Sequence, residues 1–199
     1  MVAVWQFLLA LIGLTHSYYA TTASMQPTLR KGDVFAIPVV RFYGVGPPTG
    51  LGHPGAGDFV LFFNRPTGEL YYKRVVALAG DTVQMKRGRL FINSVVVERE
   101  AEGQFTDTDS LGVTVSVTRY VETLPNGARH EINEISDDGP LDNTGLYVVP
   151  EGTVFALGDN RDRSADSRVL PQVGYIDVGN IVGISRAREK LFFWSRGSD

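Results

Sequence analysis

The sequence predicts a β-dominated fold, and three observations lead to that expectation. Beyond residue 20, no long stretch repeats its apolar residues at the 3.6-residue period of a helix. The chain instead contains short runs rich in Val, Phe and Tyr, which are typical of strands. Gly, Pro, Asn and Asp bound these runs and predict turns between them. The runs are VFAIPVV (34–40), DFVLFF (58–63), LYYKRVVAL (70–78), RLFINSVVVE (89–98), VTVSVTRYVET (113–123), GLYVV (145–149), TVFALG (153–158) and NIVGISRA (180–187).

The N-terminus differs from this pattern, because the run VAVWQFLLALIGL (2–14) is almost entirely apolar. As a helix it spans about 20 Å, or about 27 Å if extended to Tyr19, against roughly 30 Å for a bilayer core. Tyr18 and Tyr19 would then lie where interfacial aromatic residues usually sit. We predict a membrane-anchor helix over residues 1–19. The alternatives are a buried core helix and a cleaved secretory signal, although the basic start typical of such a signal is missing.

Composition divides the rest of the chain. Residues 84–150 are more polar and acidic than their flanks. We therefore expect residues 20–83 and 151–199 to form one β core, with 84–150 as an inserted β region carrying its own hairpins. Within the insertion, Pro125–Gly127 reads PNG, a strong hairpin-turn signal. The Gly- and Pro-rich stretch Tyr43–Gly57 predicts a loop or ribbon tip.

The overall composition excludes several classes of function. The 199-residue chain has a net charge of −3, whereas nucleic-acid binding needs a clustered basic surface, so we expect no nucleic-acid partner. The absence of Cys removes disulfide scaffolds, thiolate nucleophiles and Cys-ligated metal sites. A general base must therefore come from a short set of side chains. The candidates are His16, His53, His130, Lys31, Lys73, Lys86 and Lys190.

A Ser nucleophile needs one of these bases within hydrogen-bond reach. A His-based triad is disfavoured, because no G-x-S-x-G motif occurs and the three His lie in unrelated contexts. Lys73 is the one lysine inside an apolar run, where burial would lower its pKa and free the amine to act as a base. Strand alternation puts Lys73 and Arg74 on opposite faces. From the residues alone, a catalytic Lys73 and an edge strand with both cationic heads in water both remain open.

The segment GDNRDRSADSR (158–168) is the third candidate for chemistry. It reads either as a polar loop that satisfies its own backbone or as a network of hydrogen bonds and ion pairs that orients a catalytic group. A calcium loop does not fit, because the required Gly and the closing Glu are missing. We expect neither a metal nor another cofactor.

Four motifs, taken in chain order, resemble those of type I signal peptidases, the membrane-anchored Ser–Lys proteases of bacterial export. The resemblance implies an antiparallel β core of that family's type behind the anchor, and it favours the catalytic interpretation of Lys73. The motifs are Ser24-Met25-Gln26-Pro27-Thr28-Leu29, Gly57-Asp58-Phe59-Val60, Lys73-Arg74-Val75 with Gly80-Asp81, and Gly158-Asp159-Asn160-Arg161 with Ser164, Asp166, Ser167 and Arg168.

The resemblance implies a role for each residue at the reaction centre. Ser24 is expected to be the nucleophile, which forms an ester with the carbonyl of the residue before the cut. Lys73, as a neutral amine, is expected to take the Ser24 proton and then to activate the deacylating water. The Ser24 backbone N–H and the hydroxyl of Thr22, where the family often has Ser, are expected to hold the oxyanion.

The resemblance also implies a supporting network. Ser164 is expected to hydrogen-bond the Lys73 amine and orient it. Asp166 is expected to pair with Arg74, and Arg168 to join that pair. This arrangement would explain the alternation, because Lys73 would face the site and Arg74 the C-terminal motif.

The family cuts exported preproteins after small residues, at A-x-A-like sites. The implied partners are therefore preprotein signal peptides and the lipid bilayer. The implied location is the bacterial inner membrane, with a single-pass anchor and the catalytic domain on the exported side. Met25, Leu29 and Tyr72 are the expected lining of shallow apolar pockets, with ordinary core packing as the alternative. The substrate is expected to add as a strand beside the site.

Three other functions are alternatives to this one. One is a specialised relative that matures a dedicated substrate, such as a pilin or a plasmid-transfer protein. An inactive membrane-anchored binding module is disfavoured by the intact Ser24, Lys73 and Ser164. A self-cleaving repressor with Ser–Lys chemistry would carry a DNA-binding helical domain, which the hydrophobic N-terminus and the acidic balance do not suggest.

Overall fold

The structure is a computed structural model of the chain, and it describes residues 15–38, 53–108, 112–187 and 192–194. Residues 1–14 of the predicted anchor helix lie outside these ranges. The prediction is wrong for Thr15–Tyr19, which form a strand paired with Val34–Pro38. The ring of Tyr18 packs 5.9 Å from that of Phe35, centroid to centroid, so tertiary pairing decides the conformation of this segment. A search of the described ranges finds no helix whose length and apolar content would let it cross a bilayer.

The regular secondary structure of the described residues is almost entirely β, as predicted. Their helical structure consists of two single-turn 3-10 helices, Arg161–Arg163 and Val178–Asn180. The strands are β1 (Thr15–Tyr19), β2 (Val34–Pro38), β3 (Phe59–Asn64), β4 (Glu69–Leu78), β5 (Thr82–Lys86), β6 (Arg89–Ile92), β7 (Val95–Val96), β8 (Glu98–Thr108), β9 (Thr114–Thr123), β10 (Arg129–Glu134), β11 (Tyr147–Val148), β12 (Thr153–Leu157), β13 (Ile176–Asp177), β14 (Ile181–Ser185) and β15 (Phe192–Trp194).

The described strands form four antiparallel sheets. Their orders are β1-β2-β15, β10-β9-β8, β11-β5-β6-β7 and β13-β12-β4-β3-β14. The five-stranded sheet is central to the site, because β4 lies inside it between β12 and β3. Lys73 pairs with Val60 across the β3–β4 ladder, and Arg74 with Phe59. Lys73 and Arg74 are 3% and 7% exposed. The alternative of an edge strand with both heads in water is therefore wrong.

An aromatic cluster supports the five-stranded sheet beneath the nucleophile segment. Phe35 lies 5.7 Å from Phe59 and 5.4 Å from Tyr72, ring centroid to ring centroid, with the rings edge to face. Met25 and Leu29 are fully buried in the same cluster. Burial of these large side chains stabilises the turn that carries Ser24 against the sheet.

The predicted hairpin turn in the insertion is confirmed. The Leu124 amide donates to the carbonyl of Ala128, and Gly127 takes a φ of 80°, which only Gly adopts without strain. The turn joins β9 to β10 in the three-stranded β8–β10 sheet. The division of the chain at residues 84 and 150 stays a prediction. Strand β5 runs through the first of these boundaries.

Candidate active site

Ser24 lies in a tight segment between β1 and β2. The Leu29 amide donates to the carbonyl of Met25 at 2.9 Å, which closes a turn after Ser24. From the other side, the Asn160 amide donates to the carbonyl of Ser24, and its side-chain Nδ2 donates to the carbonyl of Ala23, both at 3.1 Å. The backbone of the predicted nucleophile is therefore held by the 158–168 segment.

The structure brings the two predicted catalytic side chains together. The Lys73 Nζ lies 2.9 Å from the Ser24 Oγ and 2.9 Å from the Tyr72 carbonyl oxygen. Burial lowers the pKa of Lys73 to about 8, against the opposing pull of the Asp166 and Asp159 charges. A substantial fraction of the amine is therefore neutral in mildly alkaline solution, as a general base requires.

Thr22 lies on the other side of the Ser24 hydroxyl. Its Oγ1 donates to the Ser24 Oγ at 3.0 Å and accepts from the Ser24 amide at 3.4 Å. The Thr22 amide donates to the Tyr72 hydroxyl at 3.3 Å, which ties this residue to β4. Both groups expected to hold an oxyanion thus lie beside the Ser24 oxygen.

The ion pairs around β4 differ from the expected ones. Arg74 does not pair with Asp166. Its Nε and Nη2 donate to both carboxylate oxygens of Asp159, at 2.8 and 2.7 Å. Leu157 of β12 lies opposite Arg74, so Asp159 leaves the strand within reach of the guanidinium. Burial alone would raise the pKa of Asp159, but Arg74 lowers it below its usual range.

Asp166 pairs instead with Arg168, two residues further on. The Arg168 Nε and Nη2 each lie 2.9 Å from a carboxylate oxygen of Asp166, and both side chains are fully buried. Asp166 also accepts from the Gly158 amide at 3.0 Å. The expected network therefore exists as two separate pairs, Arg74 with Asp159 and Arg168 with Asp166.

The Ser164 hydroxyl is buried and makes no hydrogen bond to any described residue. The expected bond to Lys73 is therefore not formed in this structure. Gly158 explains how Ser164 reaches this position. A Cβ at residue 158 would lie 2.6 Å from the Ser24 carbonyl oxygen and would overlap the Ser164 side chain. Only Gly lets these two segments approach so closely.

A cleft of about 280 Å³ opens over the Ser24–Lys73 pair. Of the predicted pocket residues, Tyr72 lines it, whereas Met25 and Leu29 are fully buried in the core and are not part of its wall. The described residues include no cluster of three or more His, Cys, Asp or Glu side chains suited to a metal. The cleft is lined by Thr21, Thr22, Ser24, Glu69, Leu70, Tyr71, Tyr72, Lys73, Arg163, Ala165 and Gln172.

Sequence reasoning assigned no role to several residues that the structure places around the site. Asp159 and Asn160 lie in a motif that was recognised, but spacing does not reveal which Asp of that motif meets Arg74. Glu122 of β9 forms a buried pair with Arg161, and nothing in the sequence separates it from the other acidic residues of the insertion. Thr28 donates to the Asp159 carboxylate and accepts from Arg74 at 3.2 Å.

Comparison with known proteins gives the family. The family model described as signal peptidase, peptidase S26 matches residues 1–190. Signal peptidase I of Rickettsia typhi is 37% identical over 139 residues, which are 65% of this chain and 50% of that protein. Signal peptidase I of Rickettsia akari is 35% identical over 138 residues, 65% of this chain and 49% of the relative. The chain thus spans about half the length of the curated relatives it matches.

A solved structure, a signal peptidase I from Enterococcus faecalis V583, is 24% identical. It covers 68% of this chain and 99% of its own, with a TM-score of 0.39. The family match extends over nearly the whole sequence and includes all four motifs. The chain therefore belongs to the signal peptidase family, peptidase S26.

Proposed function

We propose that this chain is a serine endopeptidase, a signal peptidase I, that removes signal peptides from exported preproteins. The observation that carries the proposal is the 2.9 Å approach of the Lys73 Nζ to the Ser24 Oγ in a buried site. Among the described residues, no carboxylate is hydrogen-bonded to this amine. The names of the Rickettsia relatives support the same activity.

In the proposed acylation step, neutral Lys73 takes the Ser24 proton as the Oγ attacks the carbonyl carbon before the cut. The carbonyl electron pair moves onto oxygen to form the tetrahedral intermediate. As the intermediate collapses, the C–N bond breaks and the Lys73 ammonium returns its proton to the leaving amine. The product is an ester on Ser24, with Lys73 neutral again.

Deacylation repeats these steps with water. Lys73 takes a proton from the water as it attacks the ester, and the Ser24 oxygen leaves and recovers a proton from Lys73. Ser24 no longer has a free hydroxyl in the ester, so the amine needs another partner to hold it. The buried, unpartnered hydroxyl of Ser164 supports a role in orienting Lys73 at this stage.

The oxyanion is proposed to bind to the Ser24 amide and the Thr22 hydroxyl. Support comes from their positions, because the Thr22 Oγ1 lies 3.0 Å from the Ser24 Oγ and 3.4 Å from the Ser24 N. The Thr22 hydroxyl then turns its hydrogen from the Ser24 oxygen to the substrate oxygen. Two donors directed at developing charge in a site with little water are the usual means of stabilising such an intermediate.

We propose that the ion pairs hold the site and set the basicity of Lys73. Asp159 binds Arg74 and Asp166 binds Arg168, so neither carboxylate is hydrogen-bonded to the amine. Their charges still raise the pKa of Lys73, whereas burial and Arg168 lower it. The balance leaves a base that is active near pH 8.

Substrate selection is proposed to take place in the cleft beside Tyr72. The cleft of about 280 Å³ is proposed to hold the residues before the cut, and the preference for small side chains there rests on the family resemblance. The scissile segment is proposed to lie extended over Ser24 and Lys73, as a strand added beside the site. Met25 and Leu29 contribute indirectly, by packing beneath the nucleophile segment.

We further propose that the apolar run at residues 2–14 anchors the chain in the inner membrane as a single pass, with the catalytic residues on the exported side. The hydropathy of this run supports the proposal. Strand β1 begins at Thr15 and ends at Tyr19, five residues before Ser24, so the site would lie close to the membrane surface. Carbonate extraction of membranes tests the anchor, because an integral segment stays in the pellet.

The decisive experiment is processing of purified preproteins in detergent by the wild type and by Ser24→Ala. We expect cleavage after a small residue by the wild type and none by the variant. Ser116→Ala, at an exposed serine of β9, is the matched control and should cleave at the wild-type rate. Cleavage of several unrelated preproteins supports a general peptidase, whereas cleavage of one alone supports a dedicated relative. Full activity of Ser24→Ala would overturn the proposal.

A further inference from the structure

The β8–β10 sheet buries two carboxylates, Glu122 and Glu134, and the proposed mechanism uses neither of them. Glu122 of β9 accepts two hydrogen bonds from Arg161, at 3.0 Å from Nη1 and 2.5 Å from Nη2. The two side chains are 2% and 1% exposed. A bidentate Arg–carboxylate pair fixes both groups in one geometry, and an unpaired charge at this depth is strongly unfavourable.

Arg161 connects this pair to the interior of the 158–168 segment. Its carbonyl oxygen accepts from the Arg168 Nη2 at 2.5 Å. Arg168 in turn binds both oxygens of Asp166, and Asp166 accepts from the Gly158 amide. A displacement of Arg161 would therefore move a closed ring of contacts that includes the segment's first and last residues.

The same segment holds the backbone of the nucleophile. Asn160, next to Arg161, donates from its amide to the Ser24 carbonyl and from its side chain to the Ala23 carbonyl. A second contact from the β8–β10 sheet supports it, because the Asn133 amide donates to the Asp159 carbonyl at 2.8 Å. The insertion thus reaches the reaction centre through main-chain contacts at Asp159 and Asn160, the two residues before Arg161.

The charge on Glu122 needs Arg161 in particular. His130 is the other titratable group facing it, with Nε2 3.3 Å from a Glu122 oxygen. Burial lowers the pKa of His130, with a further contribution from the Arg74 charge, so this ring is neutral at neutral pH. Burial alone would raise the pKa of Glu122, and Arg161 lowers it well below its usual range. Arg161 therefore supplies the compensating cation.

We propose that Glu122 is a positioning residue for the proposed peptidase reaction. From the β8–β10 sheet it fixes Arg161, and through Arg161 it holds the 158–168 segment against Ser24 and keeps Arg168 paired with Asp166. This inference rests on the proposed function for its kinetic consequences. The positioning itself is a property of the structure and has its own measurement.

The test replaces Glu122 by Gln, which keeps the shape and removes the charge. We expect kcat to fall between about 10- and 100-fold with little change in KM, because the catalytic groups are displaced whereas the cleft wall at Tyr72 remains. A loosened segment admits water to Lys73. Relief of burial raises its pKa, so the acid limb of the kcat/KM profile moves to higher pH. A purely structural role would lower the melting temperature without moving that limb.

The matched control is Glu100→Gln on β8, where the Arg129 partner is 3.5 Å away and both side chains are exposed. We expect wild-type kinetics from it. If Glu122→Gln does not fold, the double variant Glu122→Leu with Arg161→Met replaces the pair by apolar side chains of similar size. It is expected to fold and to show the same loss of kcat and the same shift of the acid limb.

Hydrogen exchange provides a measurement independent of activity. In the wild type, the amides of Gly158 and Asn160 are bonded to Asp166 and Ser24 and should exchange slowly. We expect both to lose protection in Glu122→Gln and to keep it in Glu100→Gln. Retained protection, or an unchanged kcat and acid limb, would overturn the proposal. If the wild type cleaves no preprotein, the proposed function fails, and the exchange result still decides whether Glu122 positions the segment.

Discussion

Lys73 and Arg74 are neighbours on β4, yet in the described part of the chain only Arg74 has a carboxylate hydrogen-bonded to its charged group. Arg74 faces a carboxylate that accepts from two of its nitrogens. Lys73 faces a hydroxyl and a carbonyl, and no described carboxylate is hydrogen-bonded to it. A buried cation with a matched anion stays charged and holds structure, whereas one without it shifts toward its neutral form. Adjacent residues thus provide a structural cation and, on the proposed mechanism, a base.

The largest expected effect comes from removing the base. Lys73→Met keeps the volume of the side chain and removes the amine, so kcat should fall by about a thousandfold or more, as when a member of a catalytic group is lost. Preprotein cleavage under single-turnover conditions measures the loss. Lys86→Met, at an exposed lysine, is the control and should leave the rate unchanged. A cleavage rate of Lys73→Met within tenfold of the wild type would contradict the proposed role of Lys73 as the base.

On the opposite side of β4, loss of the partner of Arg74 should lower the stability of the fold. Asp159→Asn leaves Arg74 buried without a counter-charge, so the free energy of unfolding should fall by about 3–5 kcal/mol. Urea denaturation followed by tryptophan fluorescence measures it. Glu131→Gln removes the carboxylate of a surface pair 4.0 Å from Arg119, and should change stability by less than about 1 kcal/mol. Equal losses in the two variants would show that burial does not distinguish these pairs.

Lys73 should also destabilise the fold in a way that depends on pH. Its pKa is about 8 in the folded chain and near 10.4 in an unfolded one, so between these values only the unfolded state binds the proton. Stability therefore rises with pH across that window, and below it the folded state is less stable by about 3 kcal/mol. Lys73→Met should exceed the wild type in stability by up to that amount at pH 7. Denaturation at pH 7, 9 and 10.4 should show the difference shrinking, and a constant difference would count against a perturbed lysine.

The smallest expected effect is the change in kcat/KM over one pH unit. Below the pKa of about 8, each unit of acidification should lower kcat/KM by about tenfold, because the neutral amine becomes scarcer by that factor. The profile is measured from pH 5 to pH 9, with circular dichroism at each pH to confirm that the fold persists. A flat profile down to pH 5 would exclude a lysine base.

The sequence predicted the approach of Lys73 to Ser24 but not the ion pairs around it, for a physical reason. Lys73 is the one lysine among four that lies in an apolar run, which is a local signal, and the resemblance of the four motifs then favours the catalytic interpretation. The pairing of Arg74 was misassigned because Asp159 and Asp166 are equally acidic and seven residues apart in one segment. Only the way that segment leaves β12 places Asp159 against the guanidinium.

The N-terminal boundary and the burial of Glu122 also depend on tertiary contacts that local sequence signals do not reveal. Hydropathy extended the anchor to Tyr19, but Thr15–Tyr19 contain β-branched and aromatic residues and pair with β2, and this tertiary contact decides their conformation. Glu122 lies in a polar strand with no local mark of burial. Its partner is 39 positions away, and the register that brings them together is set by whole sheets.

The crowding around Gly158 predicts which substitutions this position tolerates. The space that a side chain would need is occupied on one side by the carbonyl of the nucleophile and on the other by Ser164. Every substitution at this position would therefore force apart the segments that carry Ser24 and Ser164. In a saturation library selected for growth that depends on this chain, only glycine should survive at position 158. Even alanine, the smallest possible change, should be lost.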